Sequence, residues 1–581
     1  MNSTNARMFL WLGLVLALWL NYEAWQRDYA TPEPVTTTAA PASQSAASSL
    51  VADVPGAAAP PSVPSSATAT TVTPPPAAAP AAVDATAVPS TSDLAEAAPE
   101  PARNVRVATD VLTLEVSEQG ADLLGATLNK YPLVKGEAKP VELFNRAPNT
   151  FYYLQTGLTS APGAAAPTHL ARFKAAQTEY RLADGSDELR VPFVWTDAAS
   201  GVTVTKTFVL RRGQYRIALE YTVANRGSAP WTAASYAQIL RDDKPVERSM
   251  FSVESYAFKG PAYYNGTKYF KIDRSKIADA ELPREVTGGW IAGMQHHFVT
   301  AIVPAAGRAY RYSLKTEGDQ YLLAVAGPSQ LVAPQTEAKF AETLFVGPKL
   351  QAQLKTAGPR LDLVADYGRL TLLAEPLFWM LEQAHKIVGN WGWAIILITL
   401  LLKLVFYPLS ESSGKSMAKM RVLGPRIKNL QDTYKDDREK LGRAMMDLYK
   451  REKVNPLAGC LPILIQMPVF FAFYWVLLES VEMRQAPFMF WIQDLSSKDP
   501  FFVLPLVMAG AMFVQYKLNP TPPDPVQAKV FMIMPIFMSA TFAFFPAGLV
   551  LYWVTNTLLS IAQQWNINRR IETDAKKAHT G

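Results

Sequence analysis

The C-terminal part of the chain carries five apolar segments, each close to the ~20 residues that an α-helix needs to cross a bilayer. They cover residues 391–409, 460–478, 501–517, 530–545 and 549–565. Proline and glutamine interrupt several of these segments, which is typical of membrane helices that line a water-filled cavity. The pattern therefore predicts a helical bundle within a membrane.

Another apolar run occupies residues 8–20, between Arg7 and the aromatic residues Tyr22 and Trp25. With its aromatic flank the run reaches ~18 residues, enough for a span. A cleaved signal peptide is the competing interpretation, but the bulky sequence LNYEAWQR lacks the small residues of a cleavage site. We predict an uncleaved signal anchor over residues 1–28, which brings the number of spans to six.

The next segment, residues 29–103, holds 14 of the chain's 44 prolines and is otherwise mostly Ala, Ser, Thr and Val. Such a composition cannot bury a hydrophobic core, so we predict a disordered linker. From residue 104 to 358 the pattern changes to strand-like alternation, as at 105–116. Runs at 203–210 and 215–223 flank a loop containing Gly213, as in a β-hairpin. The sequence predicts a large antiparallel β-sandwich that needs no disulfides.

Residues 367–388 have the period of an amphipathic helix. The predicted apolar face consists of Leu370, Leu373, Leu377, Leu381, Ala384 and Val388. Pro376 lies near the start of the segment, where proline suits a first helical turn. Because the segment directly precedes a span, we predict that it lies in the membrane interface, with a soluble core helix as the alternative.

The segment 410–455 is polar and basic, with twelve Lys or Arg against seven Asp or Glu. Basic residues next to membrane spans indicate a cytoplasmic location. Apolar residues recur every three or four positions on both sides of Asp436 and Asp437, which predicts an antiparallel helical hairpin. Its basic surface is either a solvated charge run or a docking surface for ribosomal RNA or lipid headgroups. The cations proposed for docking are Lys419, Arg421, Arg426 and Lys428.

Composition supports a membrane protein with a soluble part, because 49% of the residues are hydrophobic and only 18% are charged. The single cysteine, Cys460, excludes a disulfide framework and a cysteine-based metal site. No GxxxxGK phosphate loop is present, so we expect no ATP hydrolysis. We expect no cofactor and no metal.

One charged residue, Lys403, lies inside the first core segment. Ionisable residues within membrane spans are costly and usually functional. However, Pro408 and Ser410 end the segment, so Lys403 lies only ~8 Å from that end, and a lysine side chain can extend that far to the interface. Both interpretations remain open from the sequence.

Four stretches resemble the YidC/Oxa/Alb family of membrane protein insertases, in its Gram-negative bacterial form. They are SMAKM at 416–420, EKVNPLAGCLPILIQMP at 452–468, VEMRQAPFMFWIQDLS at 481–496 and FPAGLVLYW at 545–553. The resemblance covers about residues 375–570. It implies a five-helix core over 391–568 in addition to the anchor, a short basic cytoplasmic tail over 569–581, and an all-β periplasmic sandwich.

The resemblance also implies a function: a non-enzymatic insertase and chaperone of the bacterial inner membrane. The count of six spans predicts both termini in the cytoplasm. Expected partners are nascent membrane proteins, the Sec translocon, ribosome–nascent chain complexes and lipids, but no specific nucleic acid sequence. The family's hydrophilic groove opens to the cytoplasm and to lipid. Its cation is usually arginine, and Lys403 stands at the matching position, so the charge is kept but the two-pronged guanidinium is lost.

We predict that polar groups at Thr399, Gln466, Gln515 and Asn556 line the groove with Lys403, with hydrogen bonds between helices as the alternative role. The second and fourth core spans form the family's apolar slide for the incoming helix. The matching residues here are Met467, Val469, Phe471, Phe473, Phe531, Ile533 and Ile536.

Two other functions fit a charged residue in a span with prolines nearby. A secondary transporter or channel is the first, and a serine–lysine intramembrane hydrolase is the second. For the hydrolase, Ser410 lies roughly 10 Å from Lys403 along a helix, and no spacing in the chain pairs a serine with the lysine.

Overall fold

A computed structural model describes residues 103–147, 150–242, 257–365, 367–435, 437–452, 461–518 and 525–580. The predicted signal anchor and residues 29–102 of the predicted linker lie outside these ranges. The described residues form two compact units, one of strands up to residue 365 and one of helices from Tyr367 onward, with the short turn 479–482 grouped with the first.

The first unit is built from β-strands. They are β1 (Asn104–Ala108), β2 (Leu112–Ser117), β3 (Leu123–Pro132), β4 (Pro140–Phe144), β5 (Tyr152–Thr159), β6 (Lys174–Ala175), β7 (Glu179–Arg181), β8 (Glu188–Asp197), β9 (Val202–Arg211), β10 (Arg216–Asn225), β11 (Trp231–Asp242), β12 (Gly260–Tyr264), β13 (Tyr269–Lys271), β14 (Val286–Thr287), β15 (Trp290–Met294), β16 (Phe298–Val303), β17 (Ala309–Glu317), β18 (Gln320–Ala326), β19 (Gln330–Val332) and β20 (Thr336–Pro348). A short helix, α1 (Gln351–Ala357), follows the last strand.

The strands form two large sheets. One has eleven strands in the order β14-β17-β18-β11-β5-β3-β2-β1-β7, with β19 paired to β11 and β4 paired to β3. The other has nine, in the order β13-β12-β15-β16-β20-β10-β9-β8-β6. The predicted hairpin is confirmed as β9 and β10, which pair antiparallel from Ile217 opposite Leu210 to Asn225 opposite Val202. The predicted all-β sandwich is therefore confirmed.

The alternating run at 105–116 is not one strand but two. The Thr109 hydroxyl accepts hydrogen bonds from the backbone N–H groups of Val111 and Leu112. It thereby satisfies backbone groups that a continuous strand would pair across the sheet, and the chain reverses there. The alternation of apolar and polar residues continues across this turn, because the apolar positions on its two sides keep the same period.

A buried lysine ties the two sheets together. Lys206 of β9 has no exposed surface, and its ammonium donates to the carbonyls of Gly120 (2.7 Å) and Thr156 (2.9 Å) on the other side of the core. Two buried carboxyl groups, Asp122 and Glu342, share this core. Burial raises the pKa of each to about 7, against the attraction of Lys206, and burial lowers the pKa of Lys206 to about 7. The core of the sandwich therefore contains ionisable groups that titrate near neutral pH.

The second unit contains eight helices within the described residues. They are α2 (Thr371–Val388), α3 (Trp391–Val405), α4 (Tyr407–Thr433), α5 (Arg438–Arg451), α6 (Leu461–Glu479), α7 (Val503–Leu518), α8 (Pro525–Phe542) and α9 (Ala547–Thr580). Helix α9 packs against α3, α4 and α7, while α2 packs on α3 and α8 on α7. The basic residues 569–580, predicted as a short tail, continue α9 as helix.

The predicted first core span, 391–409, is broken rather than continuous. Helix α3 ends at Val405 and α4 begins at Tyr407, with a bend of 61° between them. Pro408 lacks an N–H to donate to the carbonyl of Leu404, and in a continuous helix its ring would clash with that carbonyl. Among the described residues, no single helix is both long enough and apolar enough to cross a bilayer. The bent pair α3–α4 reaches the necessary length and apolar composition only when its two helices are taken together.

The segment predicted to lie in the interface forms α2, but its buried face is rotated from the predicted apolar face. Leu377, Leu381 and Ala384 of the predicted apolar face are buried within the helical unit. Leu373 and Val388 are exposed, and Ala374 and Phe378 are buried in their place. Apolar residues occupy two neighbouring faces of this segment, so both faces fit the helical period.

Large apolar side chains cover much of the outer surface of the helical unit. Exposed examples are Leu400, Leu401 and Leu404 on α3, Leu506, Val507 and Phe513 on α7, and Phe531, Ile533, Ile536 and Phe537 on α8. Soluble monomers rarely expose such extended apolar surface. The distribution is that expected of helices in contact with lipid.

Glu342 provides a test of the buried ionisable cluster. Its ordinary pKa is 4.5 and its pKa in the folded protein is about 7, so the folded state binds more protons than the unfolded state between these values. The contribution of protonated Glu342 to the free energy of unfolding is fully present below pH 4.5 and is lost as the pH rises through about 7. We expect Glu342→Gln to raise the free energy of unfolding at pH 8 by on the order of 2 kcal/mol, with little change at pH 4.

Hydrogen exchange of β10 and β20 in the intact protein, corrected for the intrinsic exchange rate, measures this effect at both pH values. Glu337→Gln is the matched control, because Glu337 is exposed on the same strand. An unchanged pH dependence in Glu342→Gln would contradict the assignment.

Gly392 tests the packing of the helical unit. A Cβ at Gly392 would lie 2.1 Å from Cδ2 and 2.9 Å from Cβ of Phe488, so Gly392→Ala must displace the phenylalanine. Overpacking of this kind costs about 1–3 kcal/mol, and we expect a lower melting temperature of the purified protein in detergent. Gly510→Ala is the control, since a Cβ there meets nothing within 4 Å and alanine favours the helix. Equal melting temperatures for the two variants would show that the contact is unimportant.

Candidate functional site

Lys403 lies near the end of α3, three residues before the break at Phe406. Its side chain is half-buried, and its ammonium donates a hydrogen bond to Ser560 Oγ of α9 at 2.8 Å. Across the described ranges, no carboxylate forms an ion pair with Lys403. The ammonium group is therefore held between two helices by a neutral acceptor, and no acidic side chain among the described residues neutralises it.

Ser560 is oriented as an acceptor. Its hydroxyl donates to the backbone carbonyl of Asn556, one turn earlier on α9, at 2.7 Å. Since the single hydroxyl proton is used there, only the oxygen lone pairs face the Lys403 ammonium. This geometry is the reverse of a serine nucleophile, whose proton points to the lysine that removes it.

The predicted polar residues fall at separate places around the bundle. Thr399 is buried one turn before Lys403, and its hydroxyl donates to the Ile395 carbonyl at 2.6 Å. Asn556 is half-buried, and its backbone carbonyl, not its side-chain amide, accepts the hydrogen bond from Ser560. Gln466 on α6 and Gln515 on α7 are also half-buried, and the described contacts do not join either amide to Lys403. The described contacts therefore join none of the side-chain amides of Asn556, Gln466 and Gln515 to Lys403, and their place in a groove stays a prediction.

Ser560 was missed by the sequence analysis, which found no serine to pair with Lys403. The two residues are 157 positions apart, and only the packing of α9 on α3 brings them together. A usable signal was present: Asn556, Ser560 and Gln564 follow one another every four residues in a segment that is otherwise mostly apolar. That spacing places polar groups on one helical face.

Five of the predicted slide residues carry exposed side chains. Met467 and Phe471 are exposed on α6, as are Phe531, Ile533 and Ile536 on α8. Val469 is half-buried. Phe473 differs, because it is fully buried with its ring 4.8 Å from that of Tyr552 on α9. Its side chain belongs to the interior of the bundle, so it cannot present an apolar surface to an incoming helix.

The basic segment forms two helices, α4 and α5, that pack side by side. Leu423 and Ile427 of α4 are buried against Met445 and Tyr449 of α5. Lys419, Arg426 and Lys428 are exposed, and Arg426 pairs with Glu452 at 2.7 Å. The side chain of Arg421 lies outside the described part of the chain. The basic groups are therefore displayed on a folded hairpin rather than on an extended loop.

Two family models match the chain. The one described as the YidC periplasmic domain matches residues 104–380, and the one described as the 60Kd inner membrane protein matches residues 383–576.

Similar proteins named membrane protein insertase YidC include one from Thioalkalivibrio sulfidiphilus, 46% identical over 99% of this chain and 100% of the relative. Another, from Nitrosococcus oceani, is 42% identical over 98% of this chain and 99% of the relative. A solved structure of an active YidC insertase is 20% identical, covering 80% of this chain and 94% of that one with a TM-score of 0.35. The relationship therefore rests on sequence.

Ile427 tests whether the hairpin depends on its apolar seam. Truncating a buried isoleucine to alanine costs about 2–5 kcal/mol, so in Ile427→Ala we expect α5 to separate from α4 and exchange its amide hydrogens faster. Hydrogen exchange of the intact protein measures this, with Lys428→Ala as control because Lys428 is the exposed neighbour. If α5 exchanges equally in both variants, the seam does not hold the hairpin.

Proposed function

This chain belongs to the YidC family of membrane protein insertases, and we propose that it inserts nascent membrane proteins along a groove in which Lys403 is the positive charge. The family is not enzymatic, its models describe an inner membrane protein with a periplasmic domain, and its members act on nascent membrane proteins. The observation that carries our proposal is the half-buried Lys403 ammonium held by Ser560 without a carboxylate among the described residues.

The cation lowers the cost of moving an acidic flank across the membrane. A charged residue at the centre of a span costs about 2.5–3.5 kcal/mol on insertion scales. Opposite charges 4 Å apart gain about 4 kcal/mol at an effective dielectric constant near 20. The two magnitudes are comparable, so one fixed ammonium group can offset most of the cost of one client carboxylate. A lysine acts here as a point charge and needs no two-pronged geometry.

Water in the groove is the second part of the mechanism. The side-chain nitrogen of Gln563, one turn beyond Ser560, is buried and has no hydrogen-bond partner among the described residues. A buried unpaired donor is costly unless water reaches it. We infer a hydrated groove bordered by Lys403, Ser560 and Gln563, with Thr399, Gln466, Gln515 and Asn556 as its other polar groups. Hydration shortens the apolar distance that a polar flank has to cross.

The apolar part of a client would follow the exposed faces of α6 and α8. Met467, Phe471, Phe531, Ile533 and Ile536 offer side chains to it. An incoming helix loses contact with water by packing on this surface, which is favourable without any external energy source. Release into lipid then exchanges one apolar environment for another.

The proposed arrangement in the membrane follows from charge. The basic α4–α5 hairpin and the end of α9 lie in the cytoplasm, and the β-sandwich lies outside. Residues 1–28 anchor the chain, residues 29–103 link the anchor to the sandwich over 104–358, and 391–568 form the core. The hairpin cations Lys419, Arg421, Arg426 and Lys428 are proposed to meet ribosome–nascent chain complexes or anionic lipid, and the Sec translocon is proposed as a partner for larger clients.

The alternatives have less support. No structural feature described above favours a transporter or channel path over an insertase groove, and the relatives carry the insertase name. For a hydrolase, the Ser560 hydroxyl directs its proton to a backbone carbonyl rather than to Lys403.

The test is insertion of a single-span client with an acidic outer tail into liposomes that contain the purified protein. We expect Lys403→Arg to insert like the wild type, and Lys403→Ala to lose most of a gain of about 4 kcal/mol per client carboxylate, which appears as an insertion rate lower by on the order of a hundredfold or more. Ser560→Ala should fall between them, because the ammonium remains but is no longer held towards α9.

Lys415→Ala is the matched control, since Lys415 is exposed on α4 and pairs with Glu411 at 2.8 Å. A client with an uncharged tail supplies a second control, for which all variants should insert equally. Equal insertion of the acidic client by Lys403→Ala and wild type would remove the cation from the mechanism. Leakage of a small solute without insertion would favour the transporter.

A further inference from the structure

The loop between α6 and α7 presents phenylalanine side chains on its surface. We call residues 483–502 the outer loop. Phe490 is 73% exposed, Phe501 is 66% exposed and Phe502 is 40% exposed. A segment in water would normally turn such rings inward. The exposure of three phenylalanines in one short loop requires a physical reason.

Hydrogen bonds within the loop define its conformation, so the exposure is not a consequence of missing internal structure. The Asp494 carboxylate accepts hydrogen bonds from the N–H groups of Gln485 (2.9 Å) and Ser496 (2.8 Å). The Asp499 carboxylate, itself buried, accepts from Trp491 Nε1 (3.0 Å) and from the N–H of Leu504 (2.7 Å). These two carboxylates fix the loop to itself and to the start of α7.

Two of the exposed phenylalanines have an unfavourable backbone conformation. Phe490 has a φ of 52° and Phe502 a φ of 55°, both in the left-handed region that bulky residues rarely adopt. Phe490 also stacks on Trp491, with ring centroids 6.0 Å apart. Strain of this kind persists where the surroundings determine it and commonly marks a functional position. The loop is thus built to direct these rings outward.

The outer loop lies at the end of the bundle that is remote from Lys403. The Asn390 side chain, just before α3, donates to the carbonyls of Pro487 and Phe488. The N–H groups of Ala547 and Gly548, at the start of α9, donate to Ser497 and Leu495. Position 391 is ~18 Å along α3 from Lys403, and the hairpin extends beyond Lys403.

The exposed rings continue the apolar outer surface of the helices. Trp393 on α3 and Leu506 and Val507 on α7 are exposed next to the loop. Helix α3 has 15 residues and α7 has 16. These lengths correspond to ~22 and ~24 Å, less than the ~30 Å hydrocarbon thickness of a typical bilayer. Apolar side chains beyond the helix ends would extend the surface that lipid can cover.

We propose that the outer loop inserts Phe490, Phe501 and Phe502 into the outer leaflet, at the boundary between lipid headgroups and acyl chains. The partner is phospholipid, because the surface is apolar, continues the exposed faces of α3 and α7, and lies at the helix ends, where exposed Phe and Leu side chains can enter the boundary between headgroups and acyl chains. The inference rests on the membrane location used in the proposed function, but it concerns anchoring and not the groove.

Spin labels measure this directly. The full-length protein carries one cysteine, so labels can be placed at Phe490→Cys and Phe501→Cys in a Cys460→Ser background. The protein is reconstituted into phosphatidylethanolamine–phosphatidylglycerol liposomes, and collision of each label with oxygen and with a water-soluble nickel chelate is compared. We expect an oxygen-to-nickel collision ratio several-fold higher at positions 490 and 501 than at the exposed polar positions Gln493→Cys and Lys498→Cys.

Equal ratios at all four positions would overturn the proposal, because the rings would then be in water. Exclusion of both reagents at 490 and 501 would also overturn it, since a protein surface would cover the rings. A second variant, Phe490→Trp, guards against misfolding by the label: its indole should be quenched by lipid brominated near the headgroup, relative to wild type. Insertion of the acidic client in the same liposomes is scored separately, so failure of anchoring and failure of the insertase function are distinguishable.

Discussion

The close approach of α9 to α3 and α4 is the contact on which the helical unit depends. Small residues make it possible at both ends: Gly548 lies against Ile395 and Leu495, and Gly414 lies against Ile567. Between these two points the Lys403 ammonium reaches Ser560. Packing of small residues replaces the hydrophobic effect as the force that brings helices together in lipid. The polar contact is therefore positioned by apolar packing on either side of it.

The two units solve the problem of a buried ammonium differently. In the sandwich, Lys206 satisfies its donors with two backbone carbonyls and is surrounded by the rings of Phe173, Phe208 and Tyr221 at 5.4–5.9 Å. That lysine is fully enclosed, and its contacts hold two sheets in register. Lys403 has one hydroxyl acceptor and remains half-buried. The charged group of Lys206 is therefore enclosed by structural contacts, whereas that of Lys403 remains accessible.

Much of this architecture could be predicted from sequence, because periodicity reports local structure. The hairpin β9–β10, the helix α2 and the two helices of the basic segment all follow from the spacing of apolar residues. Details that depend on packing could not be obtained in this way. Tyr434 has the correct period for the α4–α5 seam, yet Tyr449 is buried there instead. Phe473 and Phe471 are equally apolar, but only the fold decides which one faces Tyr552. The Lys403–Ser560 pair joins positions far apart in the chain, so no local pattern contains it.

The break at Phe406 gives the structure a mechanical property. Helix α4 has 27 residues, a length of ~40 Å, and begins one residue after α3 ends, at an angle of 61°. Helix α4 is therefore a long rod whose pivot, at Phe406, lies three residues from Lys403. A tilt of about 10° at Phe406 displaces the far end of α4 by about 7 Å while moving Lys403 very little. In the proposed mechanism, a partner bound at the distal end of the hairpin would therefore move that end much further than the ammonium group beside the groove.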